Sequence, residues 1–137
     1  MKTTATQDNI LFKLINESAI KTTIKGGIYK GERPIDSKAE DVVIGSMLVG
    51  DGTLQQGVAN VNIYIPKIAV QVNGKMQLIK DTKRISEVLA IAAPVLKQAF
   101  GSYYSLWTSR QADYDEPEIN QTRLNFRIEF RLDSVIN

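Results

Sequence analysis

Histidine and cysteine are both absent from the 137 residues of this chain. Histidine is the side chain whose ordinary pKa lies nearest neutrality, so it is the usual general base, and cysteine is the most nucleophilic side chain at pH 7. Their absence excludes Ser-His-Asp and Cys-His catalysis and zinc sites built from these ligands. Carboxylate or lysine chemistry stays open, but no motif points to it. We therefore expect a structural protein without cofactor or metal, and not an enzyme.

Long apolar runs and a strong charge of one sign are also missing. No stretch approaches the roughly 18 consecutive apolar residues of a membrane helix, and residues 1–8 lack the apolar run of a signal peptide. The 17 basic and 15 acidic side chains leave a net charge of +2, whereas binding to phosphates needs a concentrated excess of Lys and Arg. We expect no membrane partner, no main role in nucleic-acid binding, and synthesis in a cytoplasm.

The composition that remains is that of an ordinary globular domain. Hydrophobic residues make up 43% and charged residues 23% of the chain. At this length a single domain over residues 1–137 buries roughly two thirds of its unfolded surface. That is enough for a core without disulfides or metal.

Strict alternation near the C-terminus is the strongest secondary-structure signal. It predicts a strand over residues 122–132 whose core face consists of Leu124, Phe126, Ile128, Phe130 and Leu132. The β-branched run 42–49, with a bulge at Gly45, and the alternating run 57–65 predict two more strands. A further strand is predicted over 103–110.

Two helices and a hairpin complete the prediction. The first helix covers about 8–19 with Asp8 as its N-cap, and residues 20–25 are expected to be extended. The main helix begins after Asp81 or Thr82, kinks at Pro94 and continues to residue 100, where Gly101 ends it. The Asn-Gly pair within 70–76 predicts a β-hairpin, and its poor alternation predicts that it protrudes.

The order of these elements favours the α+β class. Sequential hairpins with few crossovers indicate a mostly antiparallel sheet, and the two main helices would then pack on one of its faces. The β-hairpin would project from this body.

An acidic segment and a basic stripe are the most distinctive charged features. The acidic residues are Asp113, Asp115, Glu116 and Glu118, in a predicted loop over 113–120. The basic residues are Arg123, Arg127 and Arg131, at four-residue steps on the outward face of the last strand. A solvated loop, a protein contact and a divalent-cation site are alternatives for the segment. For the stripe they are a solvated face, a subunit interface and a nucleic-acid site.

A resemblance to a known family emerges from the order of short motifs. A short N-terminal helix is followed by Gly-Gly-Ile-Tyr at 26–29, Arg-Pro at 33–34 and Val-Val-Ile-Gly at 42–45. A strand over 60–65, a helix over 82–100 and an alternating strand over 123–132 follow. This order resembles the tail-terminator family of phage tail-completion proteins, which siphophage-like tails and prophages encode. The hairpin at 70–76 and the long acidic segment depart from the family pattern, so no binding residue is carried over.

The resemblance implies a structural role in the virion. Such proteins form a ring, usually of six subunits, that caps the tail tube, stops its polymerisation and docks to the head connector. The partners implied are further copies of the chain, the tail-tube protein and the head-connector protein. The implied location is the virion, after assembly in the bacterial host cytoplasm.

The two charged patches suggest how a ring closes. A head-to-tail interface joins two different patches, so we predict that the acidic segment of one copy faces the arginine stripe of the next. The protruding hairpin is predicted to add strand pairing or apolar contacts through these residues: Val70, Val72, Asn73, Gly74 and Met76.

Two other functions remain as alternatives from the sequence. One is a neck or head-closure protein of the same α+β character. The other is a small cytosolic binding module with a ligand pocket near Trp107 and Tyr104. Such a module predicts a monomer or dimer, whereas a virion role predicts a ring.

Overall fold

The chain folds into one large sheet, with helices on a single side and a separate two-stranded hairpin. In the computed structural model, which describes residues 1–136, the elements in chain order are α1 (Thr4–Asn16), α2 (Ala19–Thr23), β1 (Ile28–Lys30), β2 (Val42–Val49), β3 (Leu54–Pro66), β4 (Ile68–Val72), β5 (Lys75–Ile79), α3 (Thr82–Lys97), β6 (Gln98–Phe100), β7 (Tyr104–Glu116), a 3₁₀ turn (Pro117–Ile119) and β8 (Gln121–Asp133). The large sheet has the order β1-β2-β3-β8-β7-β6, and β4 pairs only with β5.

The α+β prediction is confirmed. Every pair in the large sheet is antiparallel except β1 with β2. β3 and β8 pair along their whole length at the centre, from Leu54 opposite Asp133 to Pro66 opposite Gln121. The alternating side chains of β8 join one hydrophobic cluster with residues of all three helices, and each of the five is at most 1% exposed. The two main helices therefore cover one face of the sheet.

The first helix begins earlier than predicted, and the assignment of Asp8 as its N-cap is wrong. Helix α1 starts at Thr4, where the backbone N–H of Thr3 donates to Thr6 Oγ1 over 3.1 Å. Asp8 instead accepts the backbone N–H of Ser46 in β2 over 3.1 Å. Residues 20–23, expected to be extended, belong to the short helix α2, because Ser18 caps it and Ile20 is buried against the core.

The main helix ends three residues before the predicted end. Residues 98–100 leave the helix and pair as β6 with the start of β7, because their backbone gains a ladder there. The hydroxyl of Thr108 donates to the carbonyl of Leu96 over 2.7 Å and satisfies one group of the last helical turn. Asp81, one of the two predicted caps, caps the start by accepting the N–H of Arg84 over 3.1 Å, and Pro94 lies inside the helix.

The predicted acidic loop is wrong for most of its length. Residues 113–116 continue β7, because they pair in register with β8 as far as Glu116 opposite Gln121. The reversal is confined to the 3₁₀ turn and to Asn120, whose φ of 54° is left-handed.

The predicted position of the bulge in β2, at Gly45, is wrong, because the bulge lies further along the strand. The register between β2 and β3 shifts between Ser46 and Leu48. The side chain of Gln7 enters this point from α1, and its Nε2 donates to Ser46 Oγ over 3.0 Å, to Leu48 O over 3.3 Å and to Val58 O over 3.2 Å. A buried helix side chain thus hydrogen-bonds to both strands at the bulge.

Candidate subunit interface

The side of the large sheet away from the helices carries the arginine stripe, and we call it the open face. Strand β8 lies in its middle, between β3 and β7. On the open face, each outward residue of β8 has one neighbour on β3 and one on β7. In the order β3–β8–β7 these rows are Gln56–Arg131–Ser105, Val58–Glu129–Trp107, Asn60–Arg127–Arg110, Asn62–Asn125–Ala112 and Tyr64–Arg123–Tyr114. The predicted outward orientation of the three arginines is confirmed.

Two of the three arginines are paired within the chain. Arg123 Nε lies 2.7 Å from Glu116 Oε1, and its guanidinium lies 4.5 Å from the ring centre of Tyr114. Arg127 Nε lies 3.1 Å from Glu129 Oε2 on the same strand. Arg131 is exposed and forms no ion pair within residues 1–136. The stripe therefore offers less free positive charge than its sequence suggests.

The acidic residues do not form one patch. Asp113 and Asp115 point to the helix side of β7, since they lie opposite Leu124 and Thr122, whereas Glu116 lies on the open face with Arg123. Asp113 Oδ2 lies 3.2 Å from Lys80 Nζ, and Asp115 Oδ1 lies 2.7 Å from Lys67 Nζ. Both lysines are at the base of the hairpin.

Of the four acidic residues at 113, 115, 116 and 118, Glu118 and Asp115 are the most accessible to a second copy. Glu118 is exposed in the 3₁₀ turn, and the side chain of Asp115 is 64% exposed despite its ion pair. The prediction that the acidic residues contact the arginine stripe of another copy thus depends on these two.

The β4–β5 hairpin stands apart from the large sheet, as predicted. Asn73 and Gly74 form its two-residue turn with φ of 52° and 78°, the conformation that an Asn-Gly pair favours. Val70 and Val72 point to one side of the hairpin, whereas Met76 points to the other. Val72 is 44% exposed and Met76 63%, and every residue from 71 to 80 is exposed.

An apolar row on the open face was not identified from the sequence. Leu48, Val58 and Trp107 lie across the sheet on either side of Glu129, at a shallow depression of about 300 Å³. Leu48 is 53% exposed and Trp107 37%. The exposed position of Leu48 follows from the bulge, which sequence reasoning placed elsewhere. The single tryptophan was the available signal for this row.

The structure does not form a ligand pocket from Trp107 and Tyr104 together. Trp107 is on the open face, whereas Tyr104 lies opposite Leu132 on the helix side. There Tyr104 and Tyr103 line a shallow groove with Ile10 and other residues of α1. The two aromatic residues are separated by the sheet, so the pocket predicted for the binding-module alternative is wrong.

A buried ion pair joins helices α2 and α3 to the loop before β2. Arg84 donates from Nε and Nη2 to the two carboxylate oxygens of Glu40, each over 2.7 Å, and Nη2 also donates to Thr23 O over 2.7 Å. Burial opposes ionisation of Glu40, but hydrogen bonds from Arg84 and from the Lys25 N–H outweigh it, so the pKa of this carboxyl lies below its ordinary value. The same pairing raises the pKa of Arg84. These contacts hold together α2, the loop before β2 and the start of α3.

Neither a metal cluster nor a membrane-spanning helix occurs in the part of the chain that the structure describes. No group of three or more acidic side chains there is arranged to hold a metal ion. None of the helices has both the length and the apolar character needed to span a bilayer. Comparison of the chain with models of known protein families gave no match, and comparison with curated protein sequences also gave none.

Proposed function

We propose that this chain is a structural virion subunit that assembles with copies of itself into a ring, which caps a phage tail tube and docks to the head connector. The observation that carries the proposal is the free-standing hairpin. Two strands alone are marginally stable in water, and this hairpin exposes apolar side chains on both sides, including Val72, Met76 and Leu78. A surface of this kind is typical of a protein that completes its packing on a partner.

A second copy of the chain is the partner that these features favour. The hairpin and the open face are different surfaces of one molecule. An interface between two different surfaces joins copies head to tail, and it forms a ring when the rotation between neighbouring copies closes. The open face adds the exposed apolar side chains of Leu48 and Trp107 and an exposed Arg131. The element order that resembles tail terminators supports placing such a ring at the end of a tail.

The first experiment measures solution mass by light scattering coupled to gel filtration, over a range of protein and salt concentrations. A ring gives a discrete species several times the 15.3 kDa of the chain. Charged contacts within the interface make this species dissociate at high salt. A monomer at every concentration would contradict self-assembly.

A charge-reversal variant tests the contribution of the arginine stripe. We expect Arg127→Glu with Arg131→Glu to abolish assembly and to leave the monomer folded, because both side chains are on the open face and outside the core. The matched control is Lys21→Glu with Lys83→Glu, which changes the net charge equally at exposed positions on α2 and α3. Assembly that persists in the arginine variant would remove the stripe from the interface.

A further inference from the structure

Strand β7 has a long edge that no strand of the described chain covers. β6 pairs only with Ser105, Leu106 and Trp107. From Thr108 to Glu116, β7 pairs with β8 on one side and with no strand of residues 1–136 on the other. By strand rise this free edge is about 30 Å long. An uncovered edge of this length is a template for pairing with another chain.

Which backbone N–H and C=O groups of β7 point to its free edge follows from the hydrogen bonds that β7 makes with β8 at its other edge. The N–H of Asp133 donates to Tyr103 O over 2.8 Å, so the odd-numbered residues of β8 bond to β7. The register between β7 and β8 shifts at a bulge between Thr108 and Arg110, and beyond it these residues of β8 lie opposite the even-numbered residues of β7. Because bonding alternates along an antiparallel strand, Gln111, Asp113 and Asp115 direct their N–H and C=O groups to the free edge.

The hairpin is a second element with strand edges that lack partners. Strands β4 and β5 pair only with each other in the described chain, so each has one edge without a ladder. β4 has the sequence Ile-Ala-Val-Gln-Val, in which three of the five residues are β-branched. Such a sequence favours strand pairing.

The two elements are complementary in charge. Residues 67–80 contain three lysines and no acidic side chain, whereas residues 108–116 contain three acidic side chains and one arginine. Within one chain this complementarity is already used at the hairpin base, where Lys80 and Lys67 contact Asp113 and Asp115 through side chains alone. The hairpin of the same chain forms no backbone ladder with β7, so its own strands do not complete the edge.

We propose that the free edge of β7 is completed by strand β4 from the hairpin of a second copy. Each copy then donates a hairpin through one surface and accepts one at another, so the contact is head to tail. Backbone hydrogen bonds at residues 111, 113 and 115 supply affinity. Lys75, which forms no ion pair within residues 1–136, sets orientation against Asp115, whose side chain is 64% exposed. The inference rests on the proposed self-assembly and specifies its contact.

The first test removes one outward N–H without disturbing the sheet. In Gln111→Pro the lost N–H faces the free edge. Proline is tolerated on an edge strand at a position whose N–H makes no hydrogen bond within the same chain. We expect the mass to fall to the 15.3 kDa monomer, with unchanged circular dichroism. The control Gln111→Ala keeps the N–H and is expected to assemble as the wild type does. An oligomer that persists in folded Gln111→Pro overturns this inference and leaves the proposed ring intact.

The second test is cross-linking, which the absence of native cysteine makes specific. Gln111→Cys protein is mixed with single-cysteine variants at Ala69, Val70 or Gln71, and disulfides are formed by mild oxidation. A cross-linked pair of unlike chains supports the inference. No cross-link between unlike chains under conditions in which the wild type is oligomeric would overturn it. A wild type that is monomeric throughout overturns the proposed ring as well.

Discussion

A methyl group added at Gly57 tests how α1 is joined to the sheet. Gly57 lies on the helix side of β3, opposite Phe130. A Cβ atom built there would lie 1.6 Å from Gln7 Oε1 and 2.8 Å from its Cδ. Gln7 is fully buried, and its Oε1 has no hydrogen-bond partner within residues 1–136. Gly57→Ala therefore displaces the Gln7 side chain from the bulge in β2.

The magnitude follows from two hydrogen bonds, since Gln7 Nε2 has two hydrogens to share among its three acceptors. Each is worth about 1 kcal/mol net, and the reduced entropy of the unfolded Ala variant offsets about 0.4–1 kcal/mol. We expect Gly57→Ala to lower the free energy of unfolding by about 1–2 kcal/mol. In a Gln7→Ala background the new methyl group no longer meets Gln7, and its remaining close neighbour is Leu48 O at 3.1 Å. The same substitution is therefore expected to cost about 0.5 kcal/mol or less.

The assay is urea denaturation followed by the fluorescence of Trp107, the single tryptophan. Gly45→Ala is the matched control, since a Cβ atom there meets nothing within 4 Å and the backbone is not left-handed. Each variant is measured at two protein concentrations, so that any contribution of association to the midpoint is detected. Equal stability of Gly57→Ala and Gly45→Ala, or equal cost of Gly57→Ala in both backgrounds, would refute the reasoning.

Two further predictions concern the buried ion pair and the core. Because the pKa of Glu40 lies below its ordinary value of 4.5, ionised Glu40 contributes stability above pH 4.5 that is lost as the pH falls through the folded pKa. The stability difference between wild type and Glu40→Gln, measured by urea denaturation, should be constant near neutral pH and shrink below pH 4.5; a difference that grows on acidification contradicts the assignment. Phe126→Ala should cost about 3–5 kcal/mol, since Phe126 is 1% exposed. Phe100→Ala, at a residue 71% exposed, should change stability by less than about 0.5 kcal/mol in the same assay; similar costs for both would contradict the assigned core.

The candidate interface was only partly predictable from the sequence. The hairpin and the outward direction of Arg123, Arg127 and Arg131 follow from local patterns, namely an Asn-Gly pair and strict alternation. The division of the acidic residues between two faces does not, because it depends on β7 continuing to Glu116 beside β8. Charged residues have low strand propensity, so their pairing in a strand is a tertiary effect.

By itself the sequence determined the elements whose signal is local. The α+β class, strand β2 at Val42–Val49, the alternating core face of β8 and the start of α3 after Asp81 all result from side-chain periodicity and capping within a few residues. Only the tertiary structure decided the strand order, the β2 bulge filled by Gln7, the formation of β6 at Gln98–Phe100 and the free edge of β7. These features depend on which distant backbone groups satisfy one another, and hydrogen bonding between strands far apart in the chain leaves no periodic trace in either strand.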